Sequence, residues 1–262
     1  MATPDAFYLP LGDGRFASTG LTRGPWSPDA QHAGPPAALL GRAVERLPDA
    51  RPGFRVVRMT FEILRPVPIA EVTVAARPAE AGRNVERVEA ELRGPDGKVA
   101  MRATALRMRI VDGAAPEIDV PRPTAAPEQT PEGSFPVRWD EGYHTAMEVR
   151  FASGSFTEPG PAACWFRMRH PLVADEETSG LCRVLTAADS GNGISGELDI
   201  TRFRYVNADL TVHLRRAPIS DWVGLDSRTT IDQAGVGLTD SMLMDEKSMI
   251  GRAAQTLFVA PW

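Results

Sequence analysis

The chain repeats part of its own sequence at a fixed spacing. The identical residues are Leu64, Arg65, Pro68 and Ile69, which recur as Leu214, Arg215, Pro218 and Ile219, and Arg102-Ala103, which recurs as Arg252-Ala253. The spacing is 150 residues in every case. A register kept at both ends of a long segment predicts two copies of one folding unit.

A proline- and alanine-rich segment separates the two copies. The 262 residues contain 23 prolines, and residues 113–136 concentrate prolines and alanines that interrupt any helix or strand. We therefore predict an N-terminal domain over residues 1–112, a linker over 113–136 and a C-terminal domain over 137–262.

Both copies alternate apolar and polar residues with a period of two. Val88, Ala90 and Leu92 alternate with glutamates, and Asp96-Gly97 then predicts a hairpin turn into a strand over 99–110. In the second copy Leu210, Val212 and Leu214 alternate in the same way. The pattern predicts antiparallel strands in each half, with one solvated face.

Each half contains one apolar helix that could cover its sheet. The first is predicted over 35–47, where prolines occupy the first turn, and the second over 178–189, with Ser179 as the cap. The first helix is apolar on nearly every side, as expected for a helix enclosed by a curved sheet. The predicted class is α+β, with two tandem antiparallel sheets, each wrapping a central helix.

Composition excludes several classes of protein. The net charge of -5 and the pI near 5.5 argue against a nucleic-acid partner. The sequence has no apolar run long enough to span a membrane, and we expect a cytoplasmic protein. Cys164 and Cys182 are too few for a disulfide framework, and the scattered histidines predict no metal site.

Several motifs in order resemble one enzyme family. They are Trp26, the run from Gln31 to Leu40 (QHAGPPAALL), the strand from Phe61 to Pro68, Ala187-Ala188-Asp189, the run from Val206 to Leu214 (VNADLTVHL) and Gly251 to Gln255 (GRAAQ). Together they resemble the type II acyl-CoA thioesterases of the thioesterase-like superfamily. The resemblance implies a double hotdog fold, with the two sheets packed as one continuous unit.

The resemblance also implies the site. The family holds and activates a water with an Asp, a Thr and a Gln, and Asp189 and Gln255 match the first and last of these. Asn207 stands where the family has Thr, which replaces a hydroxyl with an amide. The first-copy residues 150 positions before Asn207 and Gln255 are Val57 and Ala105, so we expect one site per chain.

Two further residues are weaker candidates for substrate binding. His32 and Gly34 precede the first helix, where backbone amides can bind a carbonyl oxygen and the histidine can cap the loop. Ser190 and Ser195 lack the Gly-x-Ser-x-Gly pattern of a serine hydrolase. The expected reaction is hydrolysis of an acyl-CoA or a related thioester by water activated at Asp189, without a cofactor.

The residues leave alternatives open. A non-catalytic acyl-CoA or lipid-binding protein would tolerate Asn207 in place of Thr. An enoyl-thioester hydratase typically needs an Asp and a His together, so it requires His32 to meet Asp189. The sequence does not decide the acyl chain length, the choice between activated water and an acyl-enzyme, or whether the chain is a monomer or a homo-oligomer.

Overall fold

The computed structural model describes residues 5–48, 51–137 and 139–262. The strands of the first half are β1 (Tyr8–Gly12), β2 (Arg15–Ser18), β3 (Phe54–Ile63), β4 (Glu71–Ala81), β5 (Val85–Arg93) and β6 (Val99–Arg109). Those of the second half are β7 (Met147–Ser153), β8 (Ala162–Met168), β9 (Phe203–Asn207), β10 (Asp209–Leu214), β11 (Val223–Ile231), β12 (Val236–Met244) and β13 (Met249–Pro261). The helices are α1 (Gly34–Glu45), α2 (Tyr143–Ala146), α3 (Gly180–Ala188) and α4 (Gly191–Ile194).

The described strands form one antiparallel sheet, whereas the prediction was of two tandem sheets packed as one continuous unit. Their order is β1-β2-β4-β5-β6-β3-β10-β13-β12-β11-β8-β7, with β9 paired to β13. The two halves meet where β3 pairs with β10, with Thr60 opposite Thr211. The antiparallel strands predicted in each half are present on either side of this pairing. The predicted hairpin turn lies at Asp96-Gly97, where Gly97 has a φ of 74°.

The strands at both ends of the sheet were not predicted. β1 and β2 are short, and β1 contains a proline, so neither shows a clear alternation. β8 is buried on both faces over most of its length, which removes the period of two. These strands extend each meander beyond the segment in which the repeat is visible.

Helices α1 and α3 lie against each other in opposite directions. The Cys182 thiol lies 3.4 Å from the Ala38 carbonyl oxygen, while Ser179 at the start of α3 contacts Glu45 at the end of α1. The helices approach closely at Gly41, where an added Cβ would lie 2.4 Å from Leu185. Each helix therefore begins beside the end of the other.

The proline-rich segment 113–136 packs on the second half. The Trp165 indole donates to the Ala125 carbonyl at 3.0 Å, and Gly133 donates to the Val149 carbonyl. A single turn of 3₁₀ helix, Pro127–Gln129, is its only regular element. The predicted domain boundaries stay predictions, and the first residues of the N-terminal domain, 1–4, lie outside the described part of the chain.

None of the helices in the described residues is both long enough and apolar enough to cross a bilayer.

Candidate active site

Asp189 lies where helix α3 ends. Its backbone caps the helix, and its side chain is only 5% exposed. Three side chains from other parts of the chain reach the carboxylate: Asn207, Gln255 and His32. A buried carboxylate needs such partners because losing its hydration is costly.

Gln255 on β13 is oriented by contacts at both ends of its amide. Its oxygen accepts a hydrogen bond from the Asn192 backbone at 3.1 Å, so its nitrogen faces Asp189. That nitrogen lies 3.1 Å from the Asp189 carbonyl oxygen and 3.4 Å from its carboxylate Oδ1. The side chain is 1% exposed, so both hydrogen bonds compensate for its burial.

Asn207 reaches the same carboxylate oxygen from the end of β9. Its Nδ2 donates to Asp189 Oδ1 at 2.6 Å. The strand is interrupted directly after Asn207, because Ala208 separates β9 from β10. At this break the Asp209 carboxylate accepts a hydrogen bond from the Thr256 backbone amide at 2.6 Å. This local break lets one edge of β13 pair with two strands and brings Asn207 beside Gln255.

His32 and Gly34 reach the site from the first half. The His32 Nδ1 lies 3.1 Å from Asp189 Oδ2, and the Gly34 amide donates to the same Nδ1, also at 3.1 Å. Gly34 begins α1 against the end of α3, where an added Cβ would lie 2.3 Å from the Thr186 carbonyl oxygen. Burial lowers the pKa of His32, and the nearby Asp189 carboxylate opposes part of that effect.

Tyr143 supports the histidine and was not predicted from the sequence. Its ring stacks in parallel on the imidazole of His32, with centroids 3.8 Å apart. Its hydroxyl donates to the Thr186 carbonyl and lies 2.9 Å from the Ser190 hydroxyl. Burial raises the pKa of Tyr143 far above its ordinary value, so the hydroxyl stays protonated. A lone tyrosine after a proline-rich segment carries no local signal of such a role.

Buried hydroxyls line the sheet below α4. Thr229 and Thr239 face each other across two strands at 2.7 Å, and Ser195 lies 2.8 Å from Thr229. Gly191 starts α4 against this layer, where an added Cβ would lie 2.6 Å from the Ser241 hydroxyl. The absence of a side chain at Gly191 lets the short helix pack closely on this polar layer.

The structure thus brings all the predicted candidates together. Asp189, Asn207 and Gln255 from the second half lie with His32 and Gly34 from the first. Val57 and Ala105, the corresponding first-half residues, lie on β3 and β6 and contribute no polar side chain. The roles of these residues in a reaction remain predictions.

Comparison with known families decides what kind of protein this geometry belongs to. Residues 22–108 match the model of the acyl-CoA thioesterase N-terminal domain, and residues 123–259 match that of the C-terminal domain. The chain belongs to the acyl-CoA thioesterase family. Membership of this family supports thioesterase activity in general. No curated protein sequence matches this family member at a significant level.

Solved structures agree with this family member in fold. A hotdog-fold protein of unknown function from Alicyclobacillus acidocaldarius is 15% identical with a TM-score of 0.76, covering 98% of this chain and 97% of that one. An acyl-CoA thioesterase II from Mycobacterium marinum is 16% identical with a TM-score of 0.67, covering 97% and 95%. At these identities the likeness shows the fold, here a hotdog fold.

Proposed function

We propose that this protein hydrolyses an acyl-CoA, or a related acyl thioester, to a carboxylic acid and a free thiol. The observation that carries the proposal is the convergence of Asp189, Asn207 and Gln255 at one buried point beside the Gly34 amide. A general base, groups that orient it and a donor for the thioester oxygen are what thioester hydrolysis requires.

Asp189 acts as the base in this proposal. Its carboxylate removes a proton from water while the water oxygen bonds to the thioester carbon. The carbon–sulfur bond then breaks, and the departing thiolate takes the proton from Asp189. Asn207 and Gln255 both donate to Oδ1, which leaves Oδ2 as the oxygen facing His32 and the water.

The Gly34 amide stabilises the developing oxyanion. It is the first amide of α1, where the helix leaves its amide groups without partners inside the helix. The crowding against Thr186 explains why glycine stands there, since any side chain would collide with that carbonyl oxygen. In the free protein this amide donates to His32 Nδ1, so the thioester oxygen replaces the histidine nitrogen as its acceptor.

We also propose that the two halves form a double hotdog acting as one unit, in the cytoplasm and in lipid metabolism. The pairing of β3 with β10 and the antiparallel contact of α1 with α3 support a single unit. Residues from both halves form the site, which agrees with one site per chain.

A thiol-release assay tests the function directly. The purified protein is incubated with acyl-CoAs of increasing chain length and a thiol-reactive dye, in parallel with Asp189→Asn. We expect release of coenzyme A by the wild type and loss of at least about 10²-fold in the variant, as for removal of a general base. No release from any acyl-CoA, or unchanged release by Asp189→Asn, would contradict the proposal.

A second candidate function follows from the contact of His32 with Asp189. An enoyl-thioester hydratase adds water across a carbon–carbon double bond, and an Asp–His pair can move the two protons involved. Enoyl-CoA incubated with the protein separates the two reactions: hydration removes the conjugated absorbance without releasing thiol, whereas hydrolysis releases thiol. Release of thiol without hydration of the double bond would eliminate this candidate.

A further inference from the structure

One nitrogen of His32 has two neighbours at the same distance. The Gly34 amide nitrogen and the Asp189 Oδ2 each lie 3.1 Å from Nδ1. In the plane of an imidazole ring, Nδ1 carries either one hydrogen or one lone pair. Both neighbours therefore compete for a single position.

The two contacts require opposite states of that nitrogen. The Gly34 amide is a donor and needs the lone pair, which is present when the hydrogen is on Nε2. An ionised Asp189 is an acceptor and needs a hydrogen on Nδ1. When Nδ1 donates to Asp189, the Gly34 amide loses its acceptor and becomes available to another oxygen.

The imidazole ring is held in place by its neighbours. Which of the two contacts forms therefore depends on which ring nitrogen carries the hydrogen. Tyr143 stacks flat on the imidazole, and the His32 backbone amide donates to the Thr22 carbonyl at 2.8 Å. Gly34 cannot withdraw toward α3, because the Thr186 carbonyl oxygen lies only 2.3 Å from the position that a Cβ would occupy. The hydrogen on the ring can exchange through solvent without net gain or loss of protons.

We propose that His32 is a positioning residue that couples substrate binding to the orientation of the Asp189 carboxylate. In the free protein Nδ1 accepts from the Gly34 amide. A thioester carbonyl takes over that amide, the hydrogen moves to Nδ1, and Nδ1 then donates to Asp189 Oδ2. This inference rests on the proposed hydrolase function. It adds His32 as the residue that links the amide proposed to bind the thioester oxygen with the proposed base.

The coupling has a chemical consequence for the base. With Nδ1 as a donor, Asp189 receives hydrogen bonds on both oxygens, from Asn207 and Gln255 on Oδ1 and from His32 on Oδ2. These bonds fix the orientation of the carboxylate that accepts a proton from water. The base is thus fully oriented when a thioester carbonyl accepts from the Gly34 amide.

Nitrogen NMR of the wild-type protein reads the proposed exchange directly. The chain has four histidines, so ¹⁵N-histidine labelling gives few resonances, and His32→Gln assigns the relevant pair. The probe is an acyl-CoA analogue in which a methylene replaces the thioester sulfur, which keeps the carbonyl but cannot be hydrolysed. Coenzyme A alone, which lacks that carbonyl, is the matched control.

We expect Nδ1 of His32 to change from an unprotonated to a protonated nitrogen with the ketone analogue and not with coenzyme A. An Nδ1 that is already protonated in the free protein, or one that stays unprotonated at saturation with the ketone, would overturn the inference.

Kinetics of three variants give an independent test. Asn at position 32 can present an N–H group where Nδ1 lies, whereas Phe keeps the stacking on Tyr143 but has no donor. We expect His32→Phe to lower kcat about 10²-fold with little change in KM, and His32→Asn to recover about tenfold of that loss. His213→Asn, exposed on the sheet, is the control and should match the wild type.

The outcomes separate the inference from the function on which it rests. If the wild type releases no thiol from any acyl-CoA, the hydrolase function fails, and the NMR experiment still reports on the His32 nitrogen. If the wild type is active but His32→Phe keeps its kcat, or His32→Asn is no better than His32→Phe, the inference is wrong. Circular dichroism of each variant excludes loss of folding as the cause.

Discussion

The two ends of the α1–α3 pair have the same architecture and different chemistry. At each end a carboxylate near the end of one helix meets the start of the other: Asp189 meets His32 and Gly34, and Glu45 meets Ser179, whose hydroxyl donates to it at 2.6 Å. Asp189 is buried, however, whereas Glu45 is exposed.

Amide side chains on the strands of the second half account for the burial of Asp189. At the first end Gln255 and Asn207 extend amide groups to the carboxylate, and the residues 150 positions earlier are Ala105 and Val57. A carboxylate can be buried only where such donors replace its hydration. The comparison shows that polar residues on the strands, more than the helix ends themselves, make one end a candidate active site.

The largest expected effect separates the two carboxylates. Asp189→Asn should lower kcat/KM for a good acyl-CoA substrate about 10³-fold, because the base is lost while the shape is kept. Glu45→Gln, the matched change at the opposite end, should stay within about twofold of the wild type. Steady-state kinetics of thiol release measure both, and equal losses in the two variants would break the comparison.

The first half also contains a buried ion pair. Its arginine, Arg107, lies on β6 two residues after Ala105. Arg107 lies 2.8 Å from Glu86, both are almost fully buried, and the residue 150 positions after Arg107 is Leu257. Arg107→Met leaves Glu86 buried with only the more distant Arg51, and should lower the free energy of unfolding by about 3 kcal/mol.

Urea unfolding measures that loss, and kcat per folded molecule should remain unchanged because Arg107 does not contact the site. A loss of kcat without a loss of stability would mean that the first half takes part in the chemistry at this position.

A smaller effect is expected from the amide that orients Asp189. Gln255→Leu removes two donor contacts and the acceptor for the Asn192 amide, and should lower kcat about 10²-fold through misplacement of the base. Glu91→Gln, in the first half and away from the helix ends, serves as the control. A kcat that is unaffected by Gln255→Leu would remove this residue from the site.

The smallest expected effect concerns stability and pH. Because burial lowers the pKa of His32, the unfolded chain takes up a proton near pH 6.5 that the folded chain does not. Stability should therefore fall as the pH decreases below about 6.5, until the folded-state pKa is reached, by up to about 1.4 kcal/mol per pH unit.

Urea unfolding between pH 5 and pH 8 measures this slope. His32→Gln should flatten it, whereas His213→Gln, at an exposed position, should leave it as in the wild type. An identical slope in wild type and His32→Gln would show that the histidine titrates alike in the folded and unfolded chains.

The sequence predicted the elements that alternate or repeat. The strands around Val88 and Leu210 and the helix capped by Ser179 follow from period and capping, and all three are present. β8 could not be predicted in this way, because burial on both faces hides the period. The short helix α4 starts with Gly-Asn-Gly, a poor helix former, and depends on its contacts with the sheet.

The sequence likewise predicted some of the site residues and not others. Asp189, Asn207 and Gln255 could be nominated because a family motif surrounds each of them. The stacking of Tyr143 on His32 and the contact of His32 Nδ1 with Asp189 join residues more than 100 positions apart, and no local pattern encodes such a contact. The pairing of β3 with β10 was likewise hidden, since strand propensity does not specify which edges will meet.

The contact of His32 with Asp189 makes this protein suited to fragment complementation. One piece ending within residues 113–136 would carry the histidine and the glycine, and the other would carry the carboxylate and both amides. Neither piece contains all the candidate site residues, so turnover would appear only after the two pieces associate. Under the proposed function, the His32–Asp189 contact would thus make reassembly of the two halves visible as catalysis.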